Sequence, residues 1–459
     1  MIILQKRPLF KSLISLIGIS IIVKIVATIA KVTTTRVVGV EAMGLYMLIN
    51  PTMVFLINIT QLSLPVVIAK LISSNKNQKK VLVTTSIILF VVTFISMIVI
   101  LTCSSFFATS ILKNKDCIYP LNALALLIPL ISIGSIIKGY YIGNNNVEIT
   151  AKSQISEEIG RLVFILAFGS SFLNISIPLA ATCCIYSLCF GEICSLTHMF
   201  IKLQKNKNVH LKDELTNKDN YIVKEVLSIS LPLTSSKIIS SFTYFLEPII
   251  LTYMLLKYGY DTAYISKEYG ILNGYAMPLI MMPAFFSGVY GKILMPEMSK
   301  LIAKNNYSSS YKLFKKFLLI TFLTGVGFSF IIIVFKNLLL NLLYGSTIGE
   351  NYILLLTIPF ILYYLESPIS AALTALSLNK ETFKIGVYSA LIRLVTLICL
   401  IKDFNILAVA ISELAGVITY VVLATYYILR KFSFYDVHSI LFKKSNKDIL
   451  NRNISYHTQ

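Results

Sequence analysis

Charge is what this sequence has least of. Only 14% of its 459 residues are Asp, Glu, Lys or Arg, against 56% hydrophobic residues and a mean hydropathy of +0.78. A soluble domain carries about a quarter of its residues as charges, so composition excludes that class. Histidine is also scarce: His198, His210, His438 and His457 lie far apart, which argues against a histidine-based metal centre. The seven cysteines form no CxxC pair and their number is odd. They indicate neither a disulfide framework nor a zinc site, and they read as small apolar residues. No GxxxxGK[ST], HExxH or GxSxG is present, and GVYGKI at 288–293 has the wrong spacing for a phosphate loop. No stretch between apolar runs is long enough for a catalytic domain, so no enzyme activity and no cofactor are expected.

The apolar residues that dominate come in runs of about twenty, the length a helix needs to cross a hydrocarbon core of about 30 Å. The pattern predicts an all-α integral membrane protein of about 12 transmembrane helices. Spans are expected near 9–33, 43–71, 81–103, 119–141, 150–173 and 175–201, then 226–255, 269–291, 312–335, 352–376, 382–401 and 404–430. The polar stretch 202–225 separates an N-terminal six-helix lobe (1–201) from a C-terminal one (226–430), and a basic tail follows at 431–459. Lys6, Arg7 and Lys11 precede a first apolar run too long for a cleavable signal core.

Lys+Arg exceed Asp+Glu by 41 to 21, a net charge of +20. In a soluble protein that excess suggests nucleic acid. Here the basic residues occupy the short connections, with no stripe of stacking aromatics, so no nucleic-acid partner is expected. They orient the chain instead. Placing both termini in the cytoplasm of a bacterial plasma membrane puts about 28 basic residues inside against about 7 outside.

The halves echo one another. Ile128-Pro129 recurs as Ile358-Pro359, Lys70-Leu71-Ile72 as Lys300-Leu301-Ile302, and Arg161-Leu162-Val163 as Arg393-Leu394-Val395. Asn174-Ile175 recurs as Asn405-Ile406, and Lys24-Ile25 as Lys237-Ile238. Six helices per repeat is an even number, so the expected relation is a pseudo-two-fold along the membrane normal, with alternating access between the lobes.

Charges within the spans are the candidate functional residues, since each costs about 3 kcal/mol at the bilayer centre. Lys24 lies in mid-span, Lys31 follows on nearly the same face, Arg36 comes beyond, and Lys237 and Arg393 belong to the second half. Together these cations suit a phosphate-bearing anion; snorkelling to headgroups is the alternative for some. Glu157, Glu158 and Arg161 have the spacing of an intrahelical ion pair. Glu192, Glu247, Glu366 and Glu413 are carboxylates that either bind a coupling ion, H⁺ or Na⁺, or pair with the cations. Pro51, Pro65, Pro129, Pro232, Pro248, Pro278, Pro283 and Pro359 fall within or at the ends of spans, where they kink helices.

Four segments carry a resemblance: GVEAMGLYMLINP at 39–51, LPVVIAKLIS at 64–73, GYYIGNNNVEITAKSQISEEIGRL at 139–162 and GYAMPLIMMPAFFSGVYGKILMPEMSK at 274–300. They resemble the stage V sporulation protein B family of the multidrug/oligosaccharidyl-lipid/polysaccharide exporter superfamily, over nearly all of residues 9–430. The resemblance implies two six-helix lobes forming a V. It also implies movement of an undecaprenyl-pyrophosphate-linked saccharide from inner to outer leaflet, for spore cortex peptidoglycan. In the related lipid II flippases, cations on the first helix contact the substrate. Lys24 and Arg36 fall on such positions here, and Lys31 is displaced by about one residue. Two departures accompany this: Asn273, Gly274 and Tyr275 stand where those flippases carry an arginine, and their two extra C-terminal helices have no counterpart before residue 459. A drug or cation antiporter of the same superfamily is the rival reading.

Overall fold

A run of 56 consecutive residues, α1 (Lys6–Gln61), opens the computed structural model, which describes residues 6–74, 77–205 and 219–455. At 1.5 Å per residue such a run is about 84 Å long, far more than a bilayer core requires. Gly39 divides it. Its φ of 77° and ψ of 175° leave the helical region, a backbone state open to glycine and costly for a residue with a Cβ. The first two predicted spans are therefore one helical run with a hinge. The second is interrupted again at Leu62 and Ser63, both at positive φ, before Pro65 starts α2 (Leu64–Ser73).

The rest of the first half follows the apolar runs. These elements are α3 (Gln78–Phe106), α4 (Ile118–Gly143), α5 (Val147–Ile175) and α6 (Ile177–Lys205). α3 leaves Ile87, Phe90, Phe94 and Leu101 exposed, an apolar surface of the kind that faces lipid in a membrane-spanning helix. The second half opens with α7 (Asp219–Lys257). The predicted eighth span is bent by 52°: α8 (Thr262–Gly270), a π-helical stretch Ile271–Ala276 and α9 (Met277–Ile280) lead into α10 (Ala284–Ala303). After α11 (Tyr307–Val334) and α12 (Lys336–Tyr344), the predicted tenth span bends by 68° between α13 (Glu350–Leu356) and α14 (Ile361–Tyr364) with α15 (Glu366–Ala375). Pro283 and Pro359 sit at these two breaks, where a missing N–H and a fixed φ end a helix. α16 (Asn379–Phe404) and α17 (Leu407–Ser455) complete the chain.

Among the described residues nine helices are long and apolar enough to span, or eleven with each bent pair as one span. Division of the first run at Gly39 brings the count to the twelve read from hydropathy. The fold is all-α. Lys76 and residues 206–218, the centre of the loop at 202–225, lie outside the described residues, as do the side chains beyond Ser433.

Packing groups the residues into two compact units that do not follow chain order. One comprises Met1–Pro278, Asn337–Tyr352 and Leu397–Val409; the other comprises Leu279–Lys336, Ile353–Thr396 and Ala410–Gln459. In the first, Leu64, Ile68 and Leu71 of α2 bury against Val81 and Leu89 of α3 and Val226 of α7. In the second, Leu294, Met298, Phe314, Leu373, Ala424 and Ile428 bring together α10, α11, α15 and α17.

Candidate functional site

The first compact unit holds most of the intramembrane charge. α1 presents two exposed faces. Ile21, Ile22, Ile25 and Ile29 form an apolar one, and Lys24 and Lys31 share a stripe about 60–120° around the helix from its nearest members, Ile21 and Ile25. Neither lysine makes an ion pair or a side-chain hydrogen bond among the described residues. They are close enough to repel each other, and Arg161 of α5 repels Lys31 as well. Lys24 in turn acts electrostatically on Glu158 of α5, so the two α1 lysines face the charged residues of that helix.

Arg161 is held where it is by its surroundings. Its Nη1 donates to both Glu158 oxygens at 2.9 and 3.0 Å. Its aliphatic stem crosses Gly191 of α6, where an added Cβ would collide with Arg161 Cγ. The expected pair is thus Arg161 with Glu158. Glu157 turns elsewhere: Lys138 of α4 lies 3.6 Å from it and 3.0 Å from Glu192 of α6. Lys138 had not been singled out in the sequence. Its charge inside a span was the available signal, and its partners, 19 and 54 residues away by number, were not.

The other candidates separate. Glu247 is buried and accepts a hydrogen bond from Tyr269 at 2.8 Å. Lys237 is exposed on α7, with no side-chain bond among the described residues. Arg36 is exposed, and its guanidinium lies over Gly345, with Nε 3.6 Å from the position a Cβ would take. That contact ties Arg36 to the Tyr344–Gly345 turn, apart from the arrangement around Lys24. Asn273, Gly274 and Tyr275 occupy the π-helical stretch, where Tyr275 is buried and donates to the Thr35 carbonyl at 3.4 Å.

In the second unit, Glu366 lines a cavity of about 350 Å³ with Ser287, Ser367, Ser370, Tyr363 and Tyr420. Glu413 and Arg393 are its charged neighbours, so the structure brings three predicted residues together here. Arg393 repeats the seating of Arg161, with its Cβ 3.5 Å from where a Cβ on Gly416 of α17 would stand.

Likeness to known proteins bears on the family and the fold. The sequence profile of the family described as "Polysaccharide biosynthesis protein" matches residues 9–302. Stage V sporulation protein B of Bacillus subtilis (strain 168) is 27% identical over 428 residues, 90% of this chain and 82% of that protein. Among solved structures, an inward-facing multidrug resistance MATE transporter of the MOP superfamily aligns with a TM-score of 0.69 at 13% identity, covering 90% of this chain and 95% of its own. The lipid II flippase MurJ in an inward closed conformation gives 0.64 at 15% identity, with 93% and 91% covered. At such identities the likeness establishes the fold, a two-lobe arrangement of twelve helices.

Proposed function

The chain belongs to the polysaccharide biosynthesis protein family, and on that premise we propose that it is a flippase for an undecaprenyl-pyrophosphate-linked saccharide. It is a multi-pass membrane transporter of the MOP superfamily, and its structural neighbours include a MATE transporter and the lipid II flippase MurJ. The cargo would pass from the inner to the outer leaflet, for spore cortex or other cell-wall assembly. A relative named for sporulation and a structural neighbour named a lipid II flippase support that choice.

The observation that carries the reading is the pair Lys24 and Lys31, exposed on one face of α1 with Arg161 beside them. A pyrophosphate offers several anionic oxygens, and ammonium and guanidinium donors bond such oxygens about twice as strongly as neutral donors do. A cationic drug would be repelled from the same face. Lys237 contributes a further exposed cation on α7. Orientation with both termini cytoplasmic follows from the positive charge of the connections.

The test is a leaflet-exposure assay in reconstituted vesicles, comparing lipid-linked saccharides with cationic dyes. Movement of the saccharide lipid alone is the expected outcome. Dye efflux without saccharide movement would favour the antiporter reading, which the MATE neighbour keeps in view.

A further inference from the structure

Three elements meet at Lys138, and their charges do not cancel. α4 supplies the lysine, α5 supplies Glu157 at 3.6 Å, and α6 supplies Glu192 at 3.0 and 3.3 Å to its two oxygens. The Glu192 side chain is only 5% exposed and that of Lys138 24%. Gly134, one turn before Lys138 on α4, makes room for this carboxylate: a Cβ there would strike Glu192 Oε1. The site is therefore built for a carboxylate beside an ammonium. With both glutamates ionised, the triad carries one unbalanced negative charge inside a membrane domain.

Among the described residues, the surrounding groups do not neutralise that charge directly. Glu158 and Arg161 already satisfy each other at 2.9 Å. His198, six residues further along α6, bonds Ser156 at 3.2 Å. Lys24 and Lys31 of α1 act through the pair, Lys24 on Glu158 and Lys31 on Arg161, and Glu158 in turn senses Glu157. A single proton, shared by Glu157 and Glu192 against Lys138, brings the triad to neutrality, and burial favours the neutral arrangement.

We propose that Lys138, Glu157 and Glu192 form a proton-binding site, and that its proton is linked to the anion bound at Lys24 and Lys31. The linkage rests on the proposed function above; the proton site itself does not. An anion on the α1 lysines adds negative charge beside the Glu158–Arg161 pair, whose Glu158 already repels Glu157, so anion binding favours a proton on the triad. By reciprocity, protonation of the triad strengthens anion binding by the same factor. The step is an uptake of H⁺ from water by a carboxylate, forming one O–H bond with no redox change.

Infrared difference spectroscopy of the reconstituted protein, titrated upward from the ordinary glutamate range at about pH 4 to about pH 9, reads protonated carboxyl groups directly. The wild type should show a carboxylic-acid band that disappears across the titration. Glu192→Gln and Glu157→Gln should each remove it, because the remaining glutamate and Lys138 balance. Lys138→Met should hold the band at pH values where the wild type has lost it. Gln variants whose spectra superimpose on that of the wild type would overturn the proton site, whatever the cargo.

Linkage is read separately, from proton uptake on adding inorganic pyrophosphate, measured calorimetrically in two buffers of different ionisation enthalpy. Wild-type uptake should vanish in Glu192→Gln and persist in Glu148→Gln, a change at an exposed pair with Lys152. A triad band with undiminished uptake in Glu192→Gln would refute the linkage. A triad band with no pyrophosphate binding at all would refute the anion site together with the linkage, and leave the proton site standing.

Discussion

Arg161 and Arg393 occupy corresponding places in the two halves of the chain, and each lies across a glycine of the following helix, Gly191 or Gly416. The scaffold is repeated; the electrostatics around it are not. Arg161 is balanced by Glu158 and has two further cations nearby or one step removed, Lys31 and Lys24. Arg393 instead has two carboxylates as neighbours, Glu366 and Glu413, and Glu366 opens onto a cavity lined by serines and tyrosines. A duplicated fold has kept the seat that holds an arginine in the membrane and changed the charge placed beside it. The positive region suits an anionic headgroup, while the negative one suits pairing within the protein or a coupling cation.

That contrast can be broken at its strongest point by removing Arg161. Arg161→Ala leaves the half-buried Glu158 without its partner, and stranding such a group costs on the order of 1–3 kcal/mol. Reduced abundance of inserted protein is expected on quantitative membrane blots, with Arg161→Lys retaining more. An alanine variant of normal abundance would show that the seat is not structural.

Lys31→Ala acts on the other side of the comparison. It should leave abundance unchanged and lower saccharide-lipid movement per inserted molecule by about tenfold, the effect of about 1.4 kcal/mol of lost headgroup binding. A smaller change is expected from Glu366→Gln, which leaves Arg393 beside Glu413. Its transport should lose dependence on an imposed ion gradient while cargo affinity holds within about threefold, since affinity lies with the cations of the first region. Loss of cargo binding in that variant would erase the division of roles. Lys237→Ala should have the mildest effect, about twofold to fivefold on cargo movement, because one exposed charge among several is removed.

Much of the architecture was legible because lipid imposes so narrow a choice. Runs of about twenty apolar residues admit helices and little else, so the count of twelve followed. The bends at Pro283 and Pro359 were foreshadowed by the prolines, whereas the Gly39 hinge was not, since hydropathy places the break only within a connection. The Arg161–Glu158 pair was readable from i,i+3 spacing within one helix. The Lys138 triad was hidden because it joins three helices, and no local rule links Lys138 to a carboxylate 54 residues on. The same limit applied to Arg36, whose neighbour Gly345 lies more than three hundred residues away by number. The residues on α1 were legible singly as costly charges, but their exposure, and their distance around the helix from the lipid-facing isoleucines, required the structure.

The central claim is that Lys24 holds the anionic part of the cargo. It is tested most directly by saccharide-lipid movement per inserted molecule in Lys24→Ala and Lys24→Arg. The account predicts that the alanine variant is inserted at wild-type abundance with transport abolished. The arginine variant should keep partial activity, since it offers charge and donors with a different reach and shape. A snorkelling lysine would give the opposite pattern of lower abundance with undiminished turnover, and wild-type transport per molecule in Lys24→Ala would contradict the account.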